Sequence, residues 1–152
     1  MKDLKLLNYT STVPPEKSIA EIERLLARAG ATKIAKDYAG DGSVVAFFFA
    51  IPTTNGPILF RMPCDVERVF EVLIQDHKRF RRDTKKKIRE QANRVAWRIL
   101  LDWIESQIAM IRLNQVKPQQ AFLAYAYDPR TQQTLFERIE ENGFKMLGAG
   151  DQ

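Results

Sequence analysis

The sequence predicts an α+β fold: a helix, a three-stranded antiparallel meander, and then a helical C-terminal half with one long helix. Three observations lead to this prediction. Apolar residues recur at helical spacing before residue 30 and after residue 63, while the region between them has strand patterns: its outer segments alternate apolar and polar residues, and its middle segment is continuously apolar. Two turn pairs divide that region into three segments. Strands followed by a run of helices are typical of α+β domains.

The first helix is predicted for about Glu16 to Ala29. Its apolar residues recur at three- and four-residue spacing, and two prolines precede it. Ser18 and Glu21 have the spacing of a capping box, and Gly30 lies where a C-terminal cap belongs.

Three strands are predicted next, from Thr32 to Tyr38, from Val44 to Ile51 and from Ile58 to Met62. Asp41-Gly42 and Asn55-Gly56 separate them, and both pairs favour the positive φ angles of hairpin turns. The middle strand is apolar on both faces, so it needs a cover on both sides. Helices can supply that cover, and a homo-oligomer is equally compatible with it.

Two helices follow the strands. The second is predicted to begin at Pro63 and to bury a stripe that ends at Ile74. The third runs from about Thr84 to Leu113. Because it is apolar nearly all round beyond Ile99, its second half is expected to be buried and its first half to be a solvent-facing extension.

The chain after Leu113 is predicted to contain short helices and a turn. A short helix opens at Pro118, a turn lies at Asp128-Pro129, and a last helix is predicted around Thr134 to Glu141. We interpret residues 1–152 as a single domain. It comprises a helix, meander and helix (16–75), a basic connector (76–86) and a helical part (87–147).

Composition excludes several classes of protein. A chain of 152 residues can build one hydrophobic core without disulfides or metals. Cys64, the single cysteine, cannot form an internal disulfide, and with His77, the single histidine, it cannot supply a Cys/His zinc site. No segment is long and apolar enough to cross a bilayer, so we expect a cytoplasmic protein with no membrane partner.

Basic residues are concentrated between His77 and Arg98. Ten Lys and Arg residues against two acidic ones give this segment a charge of +8, and since the whole chain is +5, the remainder is −3. Such a concentration attracts phosphates or acidic protein surfaces. The candidate nucleic-acid- and phosphate-binding residues are Lys78, Arg79, Arg81, Arg82, Lys85, Lys86, Lys87, Arg94 and Arg98, with Phe80 as an aromatic ring that can stack on a base.

Two interpretations of these basic residues follow from their positions on the predicted third helix. Lys87, Gln91, Arg94 and Arg98 share one stripe of the predicted third helix. That stripe could follow a phosphate backbone, and an anion would also relieve the conflict between first-turn lysines and the helix dipole. Against this, pairs such as Arg98 with Asp102 stabilise a solvated helix face without any ligand.

Signals for catalysis are weak. The chain has no Walker loop and none of the patterns GxGxxG, GxSxG or HExxH. Cys64 follows Pro63 near a predicted helix start, where a thiol pKa can fall, but it forms no recognisable dyad with His77 and is better interpreted as a partly buried residue. We therefore predict a protein that is not an enzyme and has no cofactor, with a carboxylate-based, metal-dependent nuclease as a remaining alternative.

The order of helix, meander and helix resembles the double-stranded RNA-binding domain in topology. In that family a Lys-rich motif opens the second helix, whereas here Pro63 to Glu67 reads PCDVE and is acidic. No residue role is transferred from that family.

Five segments resemble small bacteriophage and prophage proteins of no known mechanism. The resemblance implies a bacterial cytoplasmic setting and an accessory role in a mobile element. The segments are Tyr9 to Ile22 (YTSTVPPEKSIAEI), Gly56 to Pro63 (GPILFRMP), Arg94 to Gln107 (RVAWRILLDWIESQ), Phe122 to Tyr125 (FLAY) and Leu135 to Glu137 (LFE).

These observations together predict a non-enzymatic nucleic-acid-binding accessory protein of a phage or mobile element. Its sequence specificity is expected to be low, and single strands are the favoured partner. The alternative is an interaction protein that sequesters a small nucleotide through its phosphates, or that docks on an acidic host protein such as a defence enzyme and acts as an anti-defence protein.

Overall fold

The computed structural model describes residues 5–76 and 82–148, without the side chains of residues 82 and 83. Over these ranges the chain has the predicted α+β fold. It divides into two compact units. The first unit comprises Met1–Leu25 and Cys64–Ile108, and the second comprises Leu26–Pro63 and Ala109–Gln152.

Helices and strands follow one another in the predicted order. The α-helices of the described chain are α1 (Pro15–Arg28), α2 (Val66–Gln75), α3 (Arg82–Arg112), α4 (Pro118–Ala121) and α5 (Leu135–Glu141). The strands are β1 (Lys33–Tyr38), β2 (Val44–Ile51), β3 (Ile58–Arg61), β4 (Tyr127–Asp128) and β5 (Gln133–Thr134), and 3-10 helices span Leu123–Tyr125 and Lys145–Leu147. None of the described helices has an apolar stretch long enough to cross a membrane.

The first three helices begin elsewhere than predicted, α3 at Arg82 rather than at about Thr84. α2 begins at Val66 rather than at Pro63, because the Asp65 side chain accepts a hydrogen bond from the backbone N–H of Arg68 at 3.1 Å and caps the helix. α1 begins at Pro15, so Ser18 lies inside the helix, where it is buried, and the predicted capping box is wrong. Proline suits the first helical position, because the N–H it lacks would have no partner there.

The core of the first unit includes both α2 and the start of α3. Leu73 of α2 is buried in one cluster with Ile88 and Ala92 of α3. Ile88 is only 5% exposed, so the expectation that the first half of α3 extends into solvent is wrong. Burial continues along α3 to Trp97 and Ile104. The partly buried residues packed against the cluster are Leu6, Val66, Val69, Phe70 and Ile74.

The second unit contains the meander in the order β1-β2-β3, with both pairs antiparallel. Phe49 and Phe60 occupy opposite positions on β2 and β3, and their rings stack with centroids 5.0 Å apart. Phe122 meets Phe49 edge-on at 5.2 Å. As predicted, both turn glycines have positive φ, 86° at Gly42 and 112° at Gly56. β2 is buried over most of its length, but Phe48 is half-buried and Val45, near its start, is 51% exposed.

The C-terminal part of the second unit includes a small hairpin that was not predicted. β4 and β5 pair through Tyr127 with Thr134 and Asp128 with Gln133. Thr134 then caps α5: its hydroxyl accepts from the N–H of Glu137, and the Glu137 carboxylate accepts from the N–H of Thr134. This reciprocal pair satisfies two amides at the helix start.

Candidate nucleic-acid interface

Only part of the predicted interface falls within the described residues. Lys78, Arg79, Phe80 and Arg81 lie outside them, and the side chain of Arg82 is likewise not described. The remaining candidates all lie on the first half of α3. They are Lys85, Lys86, Lys87, Arg94 and Arg98.

Three consecutive lysines are exposed near the start of α3. Because the helix begins at Arg82, Lys85 completes the first turn and Lys86 and Lys87 lie in the second. The conflict with the helix dipole therefore applies to fewer lysines than predicted. Successive helical residues are rotated by about 100°, so the three ammonium groups cover an arc of about 200°. They form a broad basic surface rather than a narrow stripe.

Arg89 stabilises the packing of α3 on α2 more than it contributes to this basic surface. Its guanidinium donates to both oxygens of Glu67, with Nη2 3.3 Å from Oε1, and lies 4.0 Å from the centre of the Phe70 ring. The hydrogen bond with Glu67 raises the pKa of Arg89. Arg89 therefore joins α3 to α2 through an ion pair and a cation–π contact.

The stripe of Gln91, Arg94 and Arg98 is not fully open, because residues 5–13, the N-terminal segment, contact it. The Gln91 amide Nε2 donates to the carbonyl oxygens of Tyr9 at 3.0 Å and Ser11 at 2.9 Å. Its Oε1 accepts from Nε of Arg94 at 2.9 Å. The predicted open track for a phosphate backbone is therefore interrupted at Gln91.

A second contact of the N-terminal segment lies farther along α3. Asn8, which has a left-handed φ of 59°, donates from Nδ2 to Oδ2 of Asp102 at 2.7 Å. The other oxygen of Asp102 lies 3.3 Å from Nε of Arg98. Since Arg98 and Asp102 are each about one-third exposed, this pair is only weakly stabilising, and its charge is already balanced. Arg98 is thus less available to a ligand than Lys86 or Lys87.

The N-terminal segment, the end of α2 and the start of α3 enclose a cleft of about 450 Å³. Lys5 and Tyr9 contribute to it from the N-terminal segment, and the Lys5 Nζ lies 5.0 Å from the centre of the Tyr9 ring. No sequence pattern predicts this arrangement, because Lys5 and Lys87 are far apart in the chain. The lining residues are Lys5, Tyr9, Leu73, Asp76, Thr84, Lys87, Ile88 and Gln91.

Cys64 has the environment of a structural residue. It is half-buried just before the cap of α2, and burial, helped by the neighbouring charge of Asp65, raises its pKa to about 12. A thiol with this pKa is protonated at neutral pH, whereas a reactive cysteine needs a lowered pKa. Among the side chains of residues 5–76 and 84–148, no three of His, Cys, Asp or Glu lie together in a group that could hold a metal ion.

The structure thus places Lys5 and Lys87 on the same cleft, at one side of the lysine surface of α3. Lys5 and Tyr9 are the additions to the predicted site, while Arg98 and the non-candidate Arg89 are engaged with carboxylates. No protein-family model, curated protein or solved structure matches this chain.

Proposed function

We propose that this protein binds nucleic acid, with little sequence specificity and without catalysing a reaction, through phosphate contacts at the start of α3. The observation that carries the proposal is the exposed basic surface of Lys85, Lys86 and Lys87, with Lys5 on the cleft that Lys87 also lines. Lysine ammonium groups contact phosphates as point charges, and phosphate contacts position a protein without reading bases. This chemistry suits an accessory protein of a phage or mobile element that coats or holds a strand.

The charge balance of the described residues supports an external anion. Among the described side chains, those of residues 5–76 and 84–148, no acidic group forms an ion pair with Lys86 or Lys87, whereas Arg89 and Arg98 both have carboxylate partners. Adjacent exposed cations repel one another, and a polyanion relieves this repulsion. A strand of phosphates spaced along a backbone can meet several of these ammonium groups together.

Single strands are the favoured form. Tyr9 is 40% exposed and the Lys5 ammonium lies over its ring, so a partly exposed aromatic side chain lies next to the cations. Bases of a single strand are free to stack on such a ring, while those of a duplex are already stacked on one another.

Binding can be measured by fluorescence anisotropy with labelled single-stranded DNA and RNA of about 20 nucleotides. We expect affinity to fall steeply with salt, with a log–log slope of about −0.7 for each phosphate neutralised. The test variant replaces Lys85, Lys86 and Lys87 with Glu. We expect it to lose at least about tenfold in affinity, because three contacts become repulsive.

A matched control replaces three exposed lysines elsewhere, Lys17, Lys33 and Lys145, with Glu. It changes the net charge by the same amount, so it separates a local site from a global attraction. An absence of binding at low salt, or equal losses in both triple variants, would refute the proposal.

A further inference from the structure

The cleft of the first unit combines features that a simple phosphate site does not need. Leu73 and Ile88, only 6% and 5% exposed, provide apolar lining, and Tyr9 adds an aromatic ring. A volume of about 450 Å³ is within the range of small-molecule sites, about 300–1,000 Å³. The cleft is therefore large enough for a planar ring as well as for an anionic group.

Two cations and one carboxylate line the same cleft. Lys5 and Lys87 supply the ammonium groups, and Asp76, the C-cap of α2, supplies the carboxylate. Gln91 also lines the cleft, but its amide already binds the Tyr9 and Ser11 carbonyls, so its role is to hold the wall in place. A ligand can thus find anion-binding groups and a hydrogen-bond acceptor next to apolar surface.

Simpler ligands leave part of this lining without a complementary group. An inorganic anion would use the lysines but not Tyr9, Leu73 or Ile88, and an apolar ligand would leave the lysines unpaired. A nucleotide uses both: its phosphate suits the ammonium groups, its base suits an aromatic and aliphatic surface, and base N–H or sugar hydroxyl groups can donate to a carboxylate.

We propose that this cleft is a subsite for one nucleotide, with the base against Tyr9 and the Leu73 and Ile88 surface, and the phosphate at Lys5 and Lys87. The inference rests on the proposed function, since it makes the cleft the place where the bound strand inserts one base. A free nucleotide offers the same chemistry, so the two sources must be separated by experiment.

The test uses the full chain and two labelled strands of 12 residues: oligothymidine, and an abasic strand with the same number of phosphates. We expect the thymidine strand to bind about tenfold more tightly, because stacking of one base on an aromatic side chain has this effect. Tyr9→Ala should remove the difference between the strands, and Tyr9→Phe should keep it. Tyr38→Ala is the matched control at another exposed tyrosine.

A double variant, Lys85→Glu with Lys86→Glu, separates this inference from the proposed function. It changes lysines that do not line the cleft, so both strands should weaken and the ratio of their affinities should stay the same. Circular dichroism of each variant checks that the fold is retained. Equal affinity of the wild type for both strands, with binding still salt-dependent, would overturn the inference and leave the proposed function standing.

Binding of mononucleotides shows whether the cleft takes a base of a bound strand or a free nucleotide. If the wild type binds neither strand at low salt, the proposed function fails, and thermal stabilisation by adenosine or thymidine monophosphate that is lost in Tyr9→Ala would support the cleft as a site for a free nucleotide. If neither strands nor mononucleotides bind, the inference fails as well.

Discussion

Gln91 is expected to hold the N-terminal segment against α3, and replacing it with Ala tests this role. The substitution removes two hydrogen bonds to the carbonyls of Tyr9 and Ser11 and the acceptor for Arg94. A typical hydrogen bond contributes about 0.5–1.5 kcal/mol to stability, so the two carbonyl contacts are together worth about 1–3 kcal/mol. Alanine is the better helix former, which offsets a few tenths of a kcal/mol.

Most of this loss should appear as local opening of the N-terminal segment. Hydrogen exchange reports such opening at the amides of Tyr9 and Ser11, which donate within the segment to Leu6 and Asn8. A loss of 1–3 kcal/mol corresponds to about 5- to 150-fold faster exchange at these amides. Because Tyr9 would lose its position beside the cleft, the expected preference for a base-bearing strand should also decrease.

The control for this prediction is Gln133→Ala in the second unit. Gln133 is also half-buried, but its amide donates to a single side chain, the carboxylate of Glu141 at 2.9 Å. We expect it to leave exchange at Tyr9 and Ser11 unchanged. If Gln91→Ala and Gln133→Ala gave the same exchange rates at these two amides, Gln91 would not be what holds the N-terminal segment.

Three further predictions concern the first unit. Asp65→Ala should lower the free energy of unfolding, measured by urea denaturation, by about 1 kcal/mol, because it removes the cap of α2. Asp65→Asn should cost much less, because an amide oxygen can also accept the capping hydrogen bond. Equal losses in the two variants would argue against the cap. Cys64 should react with a thiol reagent at pH 7–8 far more slowly than free cysteine does, because its pKa is raised to about 12, and a rate equal to that of free cysteine would contradict this. Arg89→Lys should lower the free energy of unfolding by up to about 1 kcal/mol, because the exposed pair with Glu67 loses its two-donor guanidinium contact and the stacking on Phe70 is lost. Nucleic-acid affinity should change little. A large loss of affinity would place Arg89 in the interface instead.

Short-range signals in the sequence predicted most elements of the fold. Gly30 has the expected positive φ, and the N–H of Ala31 donates to the carbonyl of Leu26, which is the pattern of a Schellman cap. Gly42 and Gly56 likewise mark the two turns of the meander. These positions could be predicted because the required backbone conformation depends on one or two neighbouring residues.

Contacts between residues that are far apart in the sequence could not be predicted from its hydrophobic and charge patterns. The helical wheel placed Gln91 on an open stripe, yet its partners, Tyr9 and Ser11, lie about 80 positions earlier in the chain. Ile88 could equally have begun a solvent-facing extension, and only its packing with Leu73 decides that it is buried. Helical periodicity identifies a face, but it does not identify what covers that face.

The arginines and lysines of α3 also differ in what they contact. Arg89 and Arg98 use their guanidinium groups to bind Glu67 and Asp102, and Arg94 binds Gln91, so each of these three arginines has a partner within the first unit. Planar, multi-donor groups suit such fixed contacts, whereas lysines are flexible point charges. The charge of +8 counted from His77 to Arg98 therefore includes arginines of α3 whose charge is already used within the first unit. Lys86 and Lys87 are exposed point charges, while Arg89, Arg94 and Arg98 secure the helix that presents them.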